Sequence, residues 1–285
     1  MRLAYLVLAH QKPRQLAWLL DAIHDPDDVF ALHVDRKAPA ATWRRIEALA
    51  AGRRNVHLLP RRPIVWGGWS LAEIQLAGIR TLLELDPGWG YFVNLSGQDY
   101  PLRRLDAIRA ELAAAPDRNH VDARTIESFP RADRLHLRRR LRYRRFEVAG
   151  RVVGTPLPIV RRRGVRLEWK GSGWCTLSRD FCRWIVTDTR ARDCVGAVRH
   201  THVPDETLFQ TLAMNGPFAE TVTFEPKREM VWSGGSHPQT LTMRQLGLLT
   251  DSAAHFARKF DEDVDAAILH TLAARIGARV PDERG

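Results

Sequence analysis

From Leu3 to Ala9 the chain is continuously apolar, and the next apolar positions, Leu16, Leu19, Leu20 and Ile23, fall at helical spacing behind Pro13. The first pattern predicts a strand buried on both faces and the second an amphipathic helix, together one βα unit. Asp25-Pro26-Asp27-Asp28 ends that helix. Val29 to Val34 then repeats the buried-strand pattern, a second helix is predicted from about Thr42 to Ala51, and Asn55 to Leu59 reads as a third, shorter strand. Ser70, with Glu73 three positions on, has the form of a capping box ahead of Ile74, Leu76, Ala77, Ile79, Leu82 and Leu83. Tyr91 to Leu95 is the fourth strand. Strands alternating with helices of this length predict an α/β fold with a parallel, doubly wound sheet, whose ligands bind beyond the carboxyl ends of the strands.

Those strand ends carry polar residues. The first closes on His10, the second on His33-Val34-Asp35-Arg36, and the fourth on Asn94-Leu95-Ser96-Gly97-Gln98-Asp99. A nucleotide is expected here. Asp35 is suited to accept hydrogen bonds from a base or ribose, and Trp66, beside Gly67 and Gly68, is suited to stack on a base. Each residue also has an ordinary structural use, the aspartate as a turn residue and the tryptophan as core.

Composition narrows the class. With 285 residues and 45% hydrophobic side chains, the chain can bury a sizeable core. Its 44 basic and 33 acidic residues leave a formal charge of +11, which favours an anionic partner such as a nucleotide-sugar, nucleic acid or membrane surface. Much of that charge lies between Arg131 and Arg145, where Leu135, Leu137 and Leu141 anchor one face. This stretch is read as a solvated basic face or as an acceptor or membrane-surface contact. Gly150 to Arg166, rich in Pro, Arg and Gly, is expected to be a mobile flap on the acceptor side. The lysines, by contrast, number only five: Lys12, Lys37, Lys170, Lys227 and Lys259. Cys175, Cys182 and Cys194 lack metal-site spacing and are expected to be free thiols. The initial apolar run is too short to span a bilayer, so a cytoplasmic protein is expected, peripheral at most to the inner membrane face.

The C-terminal third holds the most pointed chemistry. Pro204-Asp205-Glu206 puts a carboxylate at the head of a predicted helix, and Phe256-Ala257-Arg258-Lys259-Phe260 follows some fifty residues later. By themselves, Asp205 and Glu206 suit a helix N-terminus, while Arg258-Lys259 falls on a stretch read as helical, with Asp261, Asp263 and Asp265 near enough to compete with phosphate. That acidic trio lacks the glycine and distal glutamate of a calcium loop.

The series Leu8-Ala9-His10, His33-Val34-Asp35-Arg36-Lys37, Val65-Trp66-Gly67-Gly68-Trp69-Ser70, Asn94 to Pro101, Gly171-Ser172-Gly173-Trp174, Pro204-Asp205-Glu206 and Phe256 to Phe260 resembles the core-2/I-branching family of glycosyltransferases. The resemblance runs from near Leu3 to near Leu269, and the Gly-Gly-Trp-Ser and Ala-Arg-Lys-Phe runs look more like that family's peptide O-xylosyltransferases than its branching β-1,6-N-acetylglucosaminyltransferases. It implies a GT-A-type fold with a mostly parallel, Rossmann-like sheet, in a single domain of residues 1–285. Residues 1–115 would form the nucleotide-sugar half, and 116–285 the acceptor-binding and catalytic half. It further implies inverting transfer from a UDP-sugar with neither metal nor cofactor: Glu206 as general base, Arg258 and Lys259 meeting the charge on departing UDP, and His10, Asp35 and Trp66 on the donor. Asp99, Asp122, Trp174, Asp205 and Trp232 are implied around the sugar and acceptor. The membrane anchor, stem and many cysteines of animal members have no counterpart in this sequence, so a compact bacterial relative acting on a glycan, lipid-linked or peptide acceptor is expected. Two other readings are a metal-dependent nucleotide-sugar enzyme using Asp35 or Asp99, and a basic nucleic-acid-binding protein, for which no recognition motif accompanies the charge.

Overall fold

In the computed structural model, which describes residues 1–160, 162–234 and 237–279, the first hundred residues form the alternating units that the apolar pattern predicts. These are β1 (Leu3–Ala9), α1 (Pro13–Ile23), β2 (Val29–Val34), α2 (Ala40–Ala51), β3 (Val56–Leu58), α3 (Trp69–Leu85) and β4 (Tyr91–Ser96). A short β5 (Asp99–Pro101), α4 (Leu105–Ala114), β6 (His120–Val121) and β7 (Arg124–Thr125) follow. The arginine-rich stretch forms α5 (Arg131–Arg140), then β8 (Tyr143–Val148) and β9 (Arg151–Pro158). The remainder comprises β10 (Trp169–Lys170), β11 (Cys175–Ser178), α6 (Arg179–Thr187), α7 (Thr189–Val198), α8 (Asp205–Asn215), β12 (Arg228–Met230), α9 (Leu246–Asp251), β13 (Phe256–Arg258) and α10 (Ala266–Ile276).

The main sheet has the order β3-β2-β1-β4-β11-β6, with only β11 antiparallel to its neighbours. Strand periodicity sorts β1 between two apolar layers. Leu3, Tyr5 and Val7 face one with Leu16, Leu19 and Ile46, while Ala4 and Leu6 face the other with Ile74, Ile79 and Leu208. Helix α3 lies close on the second face because Gly78 has no side chain; a Cβ there would come within 2.7 Å of Leu6 Cδ1. The strands β6 and β11, from the second half of the chain, extend the sheet begun by the first.

A smaller sheet has the order β12-β13-β5, with Arg258 register-paired to Asp99. A third apolar cluster, including Trp18, Tyr100, Ala257, Phe260 and Leu272, packs this sheet and α10 against α1.

Four sequence expectations are corrected. No side-chain cap starts α3, whose N-cap is Gly68; Ser70 Oγ instead accepts a hydrogen bond from Val65 N–H at 2.8 Å, and Glu73 pairs with Arg62. Arg258 lies in a strand, not a helix. Asp261 and Asp263 pair with Lys12, and Asp265 caps α10 at Ile268 N–H, so the acidic trio does not occupy Arg258 or Lys259. Within the described part of Gly150–Arg166, β9 forms a hairpin with β8 and Arg166 is tied to Asn215 by two hydrogen bonds, so the first half of the stretch is strand where a loop is expected. All three cysteines are free and buried. Among the described residues no helix is long and apolar enough to cross a membrane.

Candidate active site

The carboxyl ends of β1, β2 and β4 open into a cleft of about 640 Å³, lined there by Ala9, His10, His33, Asp35, Ser96 and Gln98. Strand order reverses between β1 and β4, the position at which an open α/β sheet leaves a crevice. The same cleft is lined by Trp66, Asp122, Trp174, Asp205, Glu206, Trp232, Arg258 and Lys259. Thus ten of the eleven residues expected from the sequence share one wall system; the eleventh, Asp99, does not reach it.

Asp99 is fully buried beneath the cleft, with no surface to offer a sugar or an acceptor. Its Oδ2 accepts hydrogen bonds from Ser96 N–H at 2.7 Å and Ser96 Oγ at 2.5 Å, and lies 3.6 Å from Arg258 Nε. Its Oδ1 is 3.3 Å from the equally buried Arg228. The cross-strand register sets Asp99 against Arg258, and the Arg228 side chain reaches the same carboxylate from β12. Arg258 has its other face over the Trp174 ring, 4.2 Å from the centroid. Pinned on both sides, it presents a fixed fork of donors to the cleft. The Lys259 side chain makes no ion pair among the described residues, while its carbonyl accepts Leu241 N–H at 2.9 Å.

Backbone contacts of the sequence runs around Gly171, Gly67 and Glu206 join the wall that carries Glu206. Gly171 N–H donates to the Glu206 carbonyl at 3.0 Å, and its Cα hydrogen faces the Asp122 carbonyl so closely that a Cβ would lie 1.7 Å from that oxygen. No other residue type fits there. Asn94 Nδ2 donates to the Gly173 carbonyl at 2.7 Å, and Asn94 Oδ1 accepts Cys175 N–H at 2.7 Å. Asp122 Oδ2 accepts Ser172 N–H at 3.0 Å. On the other side of Glu206, Val203 donates its N–H to the Gly67 carbonyl at 2.9 Å while holding φ at +56°. A β-branched residue in that region is strained, and the strain falls directly before Pro204-Asp205-Glu206.

Glu206 heads α8 with Oε2 2.9 Å from Lys170 Nζ and 3.5 Å from Arg140 Nη1; no hydrogen bond reaches Oε1 among the described residues. Neither cation was singled out from the sequence. Lys170 directly precedes Gly171, and its being one of only five lysines was the available signal; Arg140 was lost among its arginine neighbours. Asp205 is pushed up to about 7, first by burial and then by the adjacent Glu206 charge. His10 is lowered by burial, with Asp35 opposing the shift. Asp35 Oδ1 already accepts Lys37 N–H at 2.8 Å, the turn use noted above, while the residue still borders the cleft. Trp66 and Trp232 stand exposed at its rim, 59% and 54% accessible, with Trp66 set edge-on to His237. The arrangement combines a carboxylate wall, a cationic wall and aromatic rims within one cleft.

A sequence model of the Core-2/I-branching enzyme family matches residues 3–250. Similar curated proteins include human xylosyltransferase 2, 29% identical over 302 residues and covering 95% of this chain and 33% of the relative. Rat xylosyltransferase 2 is 28% identical with the same coverage. Human xylosyltransferase 1 is 28% identical over 297 residues, covering 95% of this chain and 30% of the relative. The chain therefore spans about a third of the length of these relatives.

Proposed function

The chain belongs to the Core-2/I-branching enzyme family, and from that premise we propose that it is an inverting, metal-independent glycosyltransferase, moving a sugar from a UDP-sugar to a hydroxyl of a glycan, lipid-linked or peptide acceptor. The observation that carries this reading is that Glu206 and the Arg258-Lys259 pair line one cleft at the carboxyl ends of a mostly parallel sheet of GT-A type. Glu206 takes the proton of the acceptor hydroxyl as its oxygen bonds to the anomeric carbon. The bond from that carbon to the diphosphate oxygen breaks with its electron pair, and UDP leaves from the opposite face, inverting the centre. Arg258 and Lys259 meet the charge that develops on the diphosphate, the former as a held fork and the latter as a mobile point charge. Asp35 and Trp66 serve the nucleoside, with His10 beside the donor. Asp122, Trp174, Asp205 and Trp232 surround the sugar and acceptor. Asp99 acts only through Arg258. The names of the curated relatives make UDP-xylose the first donor to try, with UDP-N-acetylglucosamine the second.

The test is calorimetric binding of UDP in chelator and again with manganese, followed by donor turnover for wild type and Glu206→Gln. Micromolar binding in chelator, with turnover lost but UDP affinity kept in the variant, is the expected result. Binding only with manganese refutes the metal-free mechanism, and a large loss of UDP affinity in Glu206→Gln removes that residue from the role of base.

A further inference from the structure

The formal charge of +11 is not spread over the molecule. Residues 131–166 hold thirteen arginines against two carboxylates, so they carry all of it; the rest of the chain has 31 basic and 31 acidic residues. The described part of this segment holds α5 and the β8–β9 hairpin. One of its two carboxylates is already engaged, Glu147 Oε1 accepting Ser70 N–H at 2.6 Å.

Charge is half of the surface. By register, Phe146 lies opposite Val153 and Val148 opposite Arg151, so these four side chains share one face of the hairpin. Val148 and Val153 on that face are turned to solvent, 55% and 46% accessible, while Phe146 packs one side of its ring on His200 at 4.8 Å between centroids and keeps 36% of its surface open. Leu157 and Val160 further along, and Leu135 on α5, are also exposed. The unit is nonetheless held from behind, through Arg145 N–H to the His200 carbonyl at 2.8 Å and His202 N–H to the Arg140 carbonyl at 3.1 Å. Arg138, Arg139 and Arg142 are exposed on the same unit, and Arg151 is exposed on the apolar face itself, opposite Val148.

We propose that α5 and the β8–β9 hairpin form a docking surface for an anionic lipid bilayer. Apolar side chains set among arginines suit the boundary between headgroups and acyl chains, with guanidinium groups on lipid phosphate and valines below it. A water-soluble polyanion would satisfy the arginines and leave Phe146, Val148 and Val153 in water. The proposal does not rest on the transfer chemistry and is tested without nucleotide.

The full chain is sedimented with vesicles of phosphatidylcholine alone and with about one third phosphatidylglycerol. Binding confined to the anionic vesicles and weakened by salt is expected. Each of Arg139→Gln and Arg142→Gln should lower the partition constant about five-fold. Val148→Asp combined with Val153→Asp should lower it about tenfold or more, at an unchanged melting temperature. No binding to anionic vesicles overturns the proposal, as does equal binding to both kinds. Full binding by the doubly substituted hairpin also overturns it, since the surface would then be reading charge alone.

Discussion

Replacing Asp99 by Asn tests whether the buried cluster under the cleft holds the cationic wall in place. Asp99 is wholly inaccessible, and its two oxygens face four donor groups: Ser96 N–H, Ser96 Oγ, Arg228 and Arg258. An amide has one acceptor oxygen and one NH2, so either orientation turns a donor towards donors. Two guanidinium groups also lose the one carboxylate that the described residues bring to them, and breaking a buried pair in this way costs about 3–5 kcal/mol. At about 2–4 °C per kcal/mol for a chain of this size, the melting temperature should fall by roughly 6–20 °C. Arg258 also loses its anchor opposite Trp174, so UDP affinity should fall although Asp99 never meets the ligand. The assay is differential scanning fluorimetry with and without UDP, together with calorimetry in chelator. Replacing Arg228 by Met in the same chain removes one of the stranded charges and should recover part of the loss. A melting temperature within about 2 °C of wild type would refute the cluster's structural role, and unchanged UDP affinity would refute its coupling to the cleft.

Arg258→Ala should weaken UDP binding about tenfold to a hundredfold, the value of one charge-assisted contact; Lys259→Ala should do the same with little change in melting temperature, and unchanged affinity in both removes them from the donor site. Asp205 holds its proton in the folded chain up to about pH 7, whereas the unfolded carboxyl loses it near pH 4. Stability therefore falls as pH rises between these values. Asp205→Asn should gain on wild type in urea midpoint from pH 5 to pH 8, and a constant difference would contradict the buried, proton-holding state. His120 and His255 are lowered to about 4, chiefly by burial, so the unfolded chain binds protons that the native chain refuses between pH 6.5 and 4. Stability should drop as pH falls through that window, and less so in His255→Gln; identical pH profiles would exclude His255 as a source of the acid sensitivity.

The sequence made legible what depends on local period. The bounds of β1, α1 and β2 follow from where apolar runs begin and stop, and with them the strand ends that line the cleft. Where an element is three residues long the period has too few positions to register, which is why Arg258 in β13 read as helical. Ser70 and Glu73 satisfy the capping-box spacing but start one residue inside the helix, where a serine can still serve a neighbouring loop. Asp99 looked like a ligand because it follows a strand end; the turn back into β5 carries it below the floor instead. Lys170 and Arg140 reach Glu206 only through packing of α5 and β10 on α8, and no spacing along the chain encodes that meeting.

That meeting also ties the two proposals together physically. Glu206 is half-buried, and a carboxylate in such a wall needs compensating charge or donors. Lys170 and Arg140 supply them at Oε2, which leaves Oε1 as the oxygen open to an acceptor hydroxyl. Arg140 ends α5, so the helix that would meet the lipid phosphates also touches the proposed base. An acceptor carried in the bilayer would then arrive beside Glu206, on the flank of the base that α5 borders. The same geometry gives the membrane surface an influence on the base, because any movement of α5 on docking shifts the Arg140 contact. Bound to anionic vesicles, the enzyme should therefore change its turnover of a soluble acceptor while its UDP affinity stays constant. A change confined to UDP affinity would separate the docking surface from Glu206.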